Sequence, residues 1–121
     1  MSEIRPVRMK KHKMFVNVNQ NGIKVVAGGM VVQACPNNSD TIRIGFTVTK
    51  KIGCAVVRNR TRRRLKELVR TEPKIGNMAG FDLVFIGRLS TRERPYPKLR
   101  ADLIYALNEI QRQFTSDISH E

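Results

Sequence analysis

Between residues 41 and 49 the chain alternates without a break. Ile42, Ile44, Phe46 and Val48 fall on one side, and Arg43, Gly45, Thr47 and Thr49 on the other. That period of two predicts a half-buried strand. Upstream, residues 9–19 place Met14, Phe15 and Val18 on one side of a short helix, stopped by Asn21-Gly22. Residues 24–27 and 30–34 read as strands broken by Gly28-Gly29, and residues 36–40 as a loop. From residue 55 to 69 the period changes: Val57, Thr61, Leu65, Leu68 and Val69 share one arc of a helix. Residues 73–80 read as a loop, and residues 81–87 as an apolar, central strand. A last helix, residues 97–114, carries Leu99, Leu103, Leu107, Ile110 and Phe114 at helical spacing, with Asp102 and Glu109 expected to face outward. The predicted order is α-β-β-β-α-β-α, an α+β two-layer sandwich of helices on a mostly antiparallel sheet. The length fits a single domain, residues 1–121, with an ordered core of about 9–115; residues 1–8 and 116–121 are expected to be loose polar ends.

Charge changes the picture most in the second helix. Arg58, Arg60, Arg62, Arg63, Arg64, Lys66 and Arg70 surround its apolar arc. The whole chain holds 23 Lys and Arg against 10 Asp and Glu, a formal net charge of +13. A packed helix with such an outer surface repels itself, and this implies a polyanionic partner, nucleic acid above all. Apolar runs at residues 23–32 and 83–86 fall far short of the about 18 residues of a membrane span. The basic N-terminus (Arg5, Arg8, Lys10, Lys11, Lys13) has no apolar stretch after it, so it does not read as a secretory signal. Cys35 and Cys54 lack metal-site or disulfide spacing and read as two buried, reduced thiols of a cytoplasmic protein.

Candidate catalysis is sparse. No carboxylate pair has the spacing of a two-metal nuclease centre. His12 and His120 lie near opposite ends of the chain, and Ser39, Ser90 and Thr91 have no base in recognisable relation. No catalytic residue and no protein metal site are expected.

The more specific signal is a constellation. Lys50 and Lys51 leave a strand just before the helix start, where free N–H groups favour phosphate, and Asn59 stands between Arg58 and Arg60. The run Phe46-Thr47-Val48-Thr49-Lys50-Lys51-Ile52-Gly53-Cys54-Ala55-Val56-Val57-Arg58-Asn59-Arg60, continuing through Thr61-Arg62-Arg63-Arg64-Leu65-Lys66-Glu67, resembles the signature of the bacterial ribonuclease P protein subunit. Lys10-Lys11 with Phe15 upstream, and Phe81-Asp82-Leu83-Val84-Phe85-Ile86-Gly87-Arg88 before a closing helix, extend the likeness over most of the chain.

The resemblance implies a protein that assists a catalytic RNA in removing the 5′ leader of precursor tRNA, with the Mg²⁺ ions held by RNA and substrate. By the same likeness Arg58, Asn59, Arg60, Arg62, Arg63 and Lys66 would meet ribonuclease P RNA. The leader would lie in a cleft lined by Phe15, Thr47, Thr49, Lys50, Lys51 and Arg88, an aromatic, hydroxyl and cation set suited to unpaired nucleotides. The likeness also implies a left-handed βαβ crossover around the arginine helix, where general rules favour the right hand. Two departures stand out: Asn19 occupies a position where the family often has a second aromatic, and Met30, Val31 and Val32 stand where it often has another. Leader contact would then rest less on stacking. The alternative reading is a stand-alone RNA-binding or ribosome-associated protein. A DNA-binding helix-turn-helix would need a helix, not a strand, just before residue 55; neither DNA nor a membrane is an expected partner.

Overall fold

The computed structural model describes residues 7–9 and 11–119, with side chains as far as Phe114. Lys10, His120 and most of the expected loose ends lie outside the described residues. The elements are β1 (Val7–Arg8), α1 (His12–Asn21), β2 (Ile23–Ala27), β3 (Met30–Pro36), β4 (Arg43–Thr47), α2 (Ala55–Thr71), β5 (Phe81–Gly87) and α3 (Tyr96–Ser119), with 3-10 turns at Lys50–Ile52, Pro73–Met78 and Leu89–Arg92.

One five-stranded sheet runs in the order β1-β4-β5-β3-β2. The expectation of a mostly antiparallel sheet is corrected. β1 pairs with β4 and β4 with β5 in parallel, while β2 with β3 and β3 with β5 are antiparallel. The parallel half exists because the chain crosses from β4 to β5 through α2, and because β1, expected as part of a loose end, adds to the free edge of β4. Its anchors are main-chain bonds from Val7 N to Ile42 O (2.6 Å) and from Met9 N to Ile44 O (2.8 Å). β5 lies in the middle, as its apolar run requires.

The alternation of β4 holds. Ile42 and Ile44 are buried, and Phe46 packs towards the same core, its ring stacked on Phe85 at 5.6 Å between centroids. On that face α2 contributes Leu65, Leu68 and Val69, and α3 contributes Leu99, Leu103, Leu107 and Ile110, all buried with Val32, Leu83 and Phe85. These two helices form the second layer. The short α1 covers part of the opposite face, where Val18 meets Met9, Cys35 and Val84, with Met14 and Phe15 partly buried beside them. The sandwich therefore gains a partial third layer.

One side-chain expectation and one helix boundary are corrected. Asp102 does not face outward: its carboxylate accepts from Gly29 N at 2.9 Å and from Arg94 Nε at 2.5 Å. It clamps the β2–β3 turn to α3, so solvent is not its partner. Helix α3 also begins at Tyr96 and runs past residue 114 to Ser119, which places residues 116–119 in helix and not in a loose tail.

Candidate nucleic-acid interface

Helix α2 starts where Gly53, at φ 147°, turns the chain out of the Lys50–Ile52 turn through a conformation that favours glycine. Thr61, Leu65, Leu68 and Val69 are buried and Val57 is half-buried, so the predicted arc faces the sheet. The cations ring the rest. Arg60 and Arg63 are exposed; Arg58, Arg62 and Lys66 are half-buried at the margin. Arg62 donates to Asn59 Oδ1 at 3.1 Å, and this holds the asparagine carbonyl towards its own helix. The Nε of Arg58 is buried and has no hydrogen-bond partner among the described residues. Lys66 is held below its ordinary pKa, first by partial desolvation and then by the nearby charges of Arg8 and Arg62.

Six acids among the described residues are committed to other arginines. Among the described residues the ion pairs are Arg43–Asp82, Arg70–Glu67, Arg92–Glu93, Arg94–Asp102, Arg100–Glu72 and Arg112–Glu109. None of them reaches Arg58, Arg60, Arg62, Arg63 or Lys66. Arg70, on the other hand, is neutralised within its own helix. Arg64 is a fastening: its Nη1 donates to the carbonyls of Thr91 and Arg92, each at 2.9 Å.

Sheet register builds a second surface on the opposite face. Cross-strand neighbours share a face, so Thr47, Ile86, Val31 and Val26 form one row over four strands. The next row, Gly45, Val84 and Gln33, lies under α1. Phe15 rests on Gly45 so closely that a Cβ there would lie 2.5 Å from its ring, and Asn19 Oδ1 accepts from Gln33 Nε2 at 2.9 Å. The row beside α1 stays open: Thr47, Ile86 and Val31 are half-buried, and Val26 is 54% exposed. This is a groove with an aliphatic floor and Phe15 in its wall.

Of the predicted cleft residues, Phe15 and Thr47 stand on this groove. Thr49, Lys50 and Lys51 lie outside β4, exposed where the chain turns towards α2. Arg88 follows β5 at the same sheet end, exposed, its Nη1 3.4 Å from Gly28 O. Val26, Val31 and Ile86 escaped sequence reasoning because only the register aligns them. Asn19, where an aromatic was expected, fixes Gln33 and does not project into the groove.

The expectation of two buried cysteines holds for Cys35 alone. Cys54 is exposed at the N-cap of α2. Backbone N–H groups of Val57 and Val56 lower its thiol pKa, whereas burial, with Asp82 nearby, raises that of Cys35.

No group of three His, Cys, Asp or Glu able to hold a metal ion occurs among the described residues, nor is any helix there long and apolar enough to cross a membrane. A cationic helix on one face of the sheet and an open groove on the other define an RNA-binding α+β module. The family model described as Ribonuclease P matches residues 4–111. The ribonuclease P protein component of Gluconacetobacter diazotrophicus is 52% identical over 100 residues, spanning 82% of this chain and 86% of that protein. Solved structures of RNase P proteins from Staphylococcus aureus and Thermotoga maritima superpose with TM-scores of 0.72 and 0.71 at 27% and 26% identity. They cover 86% and 85% of this chain, and 94% and 96% of theirs. The chain belongs to the ribonuclease P protein family, and with that membership come RNA binding and tRNA processing as a protein component of ribonuclease P.

Proposed function

We propose that this protein bridges two RNAs, the catalytic RNA subunit and the precursor tRNA, during removal of the 5′ leader. The observation that carries the reading is that two surfaces suited to RNA occupy opposite faces of one sheet. Helix α2 offers Arg58, Arg60, Arg62, Arg63 and Lys66 with no acidic partner among the described residues, and Asn59 among them. The groove beside α1 offers Phe15, Thr47 and an aliphatic floor, which suit unpaired bases and riboses. Thr49, Lys50 and Lys51 stand at the junction of the two surfaces, and Arg88 at the same sheet end, where one phosphate chain would approach the other.

The chemistry would belong to the RNA. Mg²⁺ held by the RNA subunit and substrate would supply the hydrolytic step. The protein would neutralise two converging polyanions and so reduce the Mg²⁺ needed to keep them together. The setting is the cytoplasm, where precursor tRNA is processed.

Reconstitution tests this. Protein, a bacterial ribonuclease P RNA and a leader-bearing precursor tRNA are mixed at a Mg²⁺ level where the RNA alone is slow, with protein alone in parallel. Rescue of 5′ cleavage only in the full mixture is the expected result. Tight RNA binding without rescue would favour a ribosome-associated role, and cleavage by the protein alone would overturn the division of labour.

A further inference from the structure

A cavity of about 430 Å³ lies between α2 and the Leu89–Arg92 turn, lined by Val57, Arg60, Thr61, Arg64, Arg92 and Glu93. Its size falls within the about 300–1,000 Å³ of small-ligand sites. Its walls are fixed from behind. Arg64 is held to the Thr91 and Arg92 carbonyls, and the buried Thr91 hydroxyl receives Arg88 N at 2.8 Å and donates to Gly29 O. The Arg64 guanidinium is thus an immobilised plane whose charge no carboxylate cancels among the described residues. Arg60 is exposed beside it with its charge equally uncancelled.

A bare phosphate site would not include a carboxylate, yet Glu93 stands in the lining, 79% exposed at its side chain and only 3.3 Å from Arg92. A carboxylate beside guanidinium groups suits a ligand that is anionic at one end and carries N–H donors at the other. Val57 adds an apolar patch, and the flat guanidinium offers a stacking face. A nucleotide has all of these complements.

We propose that this cavity receives one unstacked nucleotide of the RNA that α2 binds. Its base rests against Val57 and Arg64, its phosphate meets Arg60, and a base N–H is donated to Glu93. The inference rests on the RNA-binding reading of α2 and adds to it a base-specific contact.

The test uses the full chain with a bacterial ribonuclease P RNA and two variants. Glu93→Gln removes a negative charge from an RNA-facing rim, so in the absence of a base contact it would leave affinity unchanged or raise it. Loss of the charge-assisted acceptor should instead weaken binding about fivefold. Glu93 is exposed, so the variant's fold is not at issue. Val57→Phe puts a ring where the base would rest and should cost about tenfold, the order of one lost stacked base, with the salt slope unchanged. Chemical probing of the RNA bases should reveal a nucleotide protected by the native chain and not by Val57→Phe.

Native binding with equal or tighter binding by Glu93→Gln overturns the nucleotide site while leaving the RNA-binding reading intact. Failure of the native chain to bind the RNA overturns both. Dialysis against GMP and AMP separates the sources: micromolar uptake with no protected RNA base would assign the site to a free nucleotide and overturn the proposal.

Discussion

Gly45→Ala places one methyl group where the structure leaves no room for it. The Cβ would lie 2.5 and 2.6 Å from two ring carbons of Phe15 and 3.4 Å from Met9 Sδ. Ordinary contact needs at least the last of these distances, so ring and strand must separate by about 1 Å. If α1 lifts as a unit, the cost is that of overpacking, about 1–3 kcal/mol. If Phe15 rotates away, part of its apolar burial is lost, about 1 kcal/mol for a half-buried ring. Either route destabilises by about 1–3 kcal/mol. At an unfolding entropy of about 0.25 kcal/mol/K for a chain of this length, Tm falls by about 4–12 °C. Both routes also displace the wall of the groove next to Thr47. The ratio of affinities for precursor and mature tRNA, measured on the reconstituted holoenzyme below the new Tm, should fall about fivefold or more, while RNA-subunit binding stays unchanged. Native Tm together with native discrimination would refute both the Phe15–Gly45 contact and the groove as the leader surface.

Three further outcomes are expected. Phe15→Ala should keep affinity for the RNA subunit and lose discrimination between precursor and mature tRNA; equal loss of both would make Phe15 a core residue only. Arg60→Ala should weaken RNA binding and flatten the log–log salt slope by about 0.7–0.9 per lost phosphate contact, whereas Arg64→Ala should weaken RNA binding and also lower stability in urea melts, because its donor ties α2 to the Leu89–Arg92 turn. A short pulse of iodoacetamide on the native chain at mildly alkaline pH should label Cys54 and spare Cys35, because the lowered pKa of the first and the raised pKa of the second separate their thiolate fractions. Peptide mass spectrometry reads this directly, and equal labelling would contradict the exposed N-cap placement.

The elements with long periodic signals were legible. β5 occupies the predicted residues 81–87, β4 presents the predicted faces, and the apolar stripes of α2 and α3 face the core. What the sequence hid was non-local. A two-residue strand such as β1 has no period to detect, and its parallel pairing to β4 depends on main-chain bonds from a distant segment. Periodicity assigned Asp102 to solvent because it counts only neighbours on the helix, while its partners Gly29 and Arg94 arrive from a turn and a loop. The groove was half legible. Motif likeness pointed to Phe15 and Thr47, but Ile86, Val31 and Val26 join them only through register across three strand pairings.

The distribution of acids carries one more consequence. Of 10 Asp and Glu, six pair with arginines among the described residues, and none of these six reaches Arg58, Arg60, Arg62, Arg63 or Lys66. The folded chain, at a formal net charge of +13, therefore holds the uncancelled cations of α2 close together, a self-repulsion that the unfolded chain relieves by expanding. Simple screening by chloride should recover part of that stability. Phosphate or sulfate should recover more, because a polyvalent anion bound between arginines of the folded state contributes RT ln(1 + [L]/Kd), about 2.7 kcal/mol at a hundredfold excess over Kd. With the entropy used above, that raises Tm by about 11 °C. Melts in sodium phosphate and sodium chloride at matched ionic strength separate the two effects. Arg60→Ala should diminish the phosphate increment and leave the chloride increment nearly intact. Coincident curves for the two salts would mean that the arginine surface of α2 holds no anion site in the free protein, and that its charge acts only as a diffuse field.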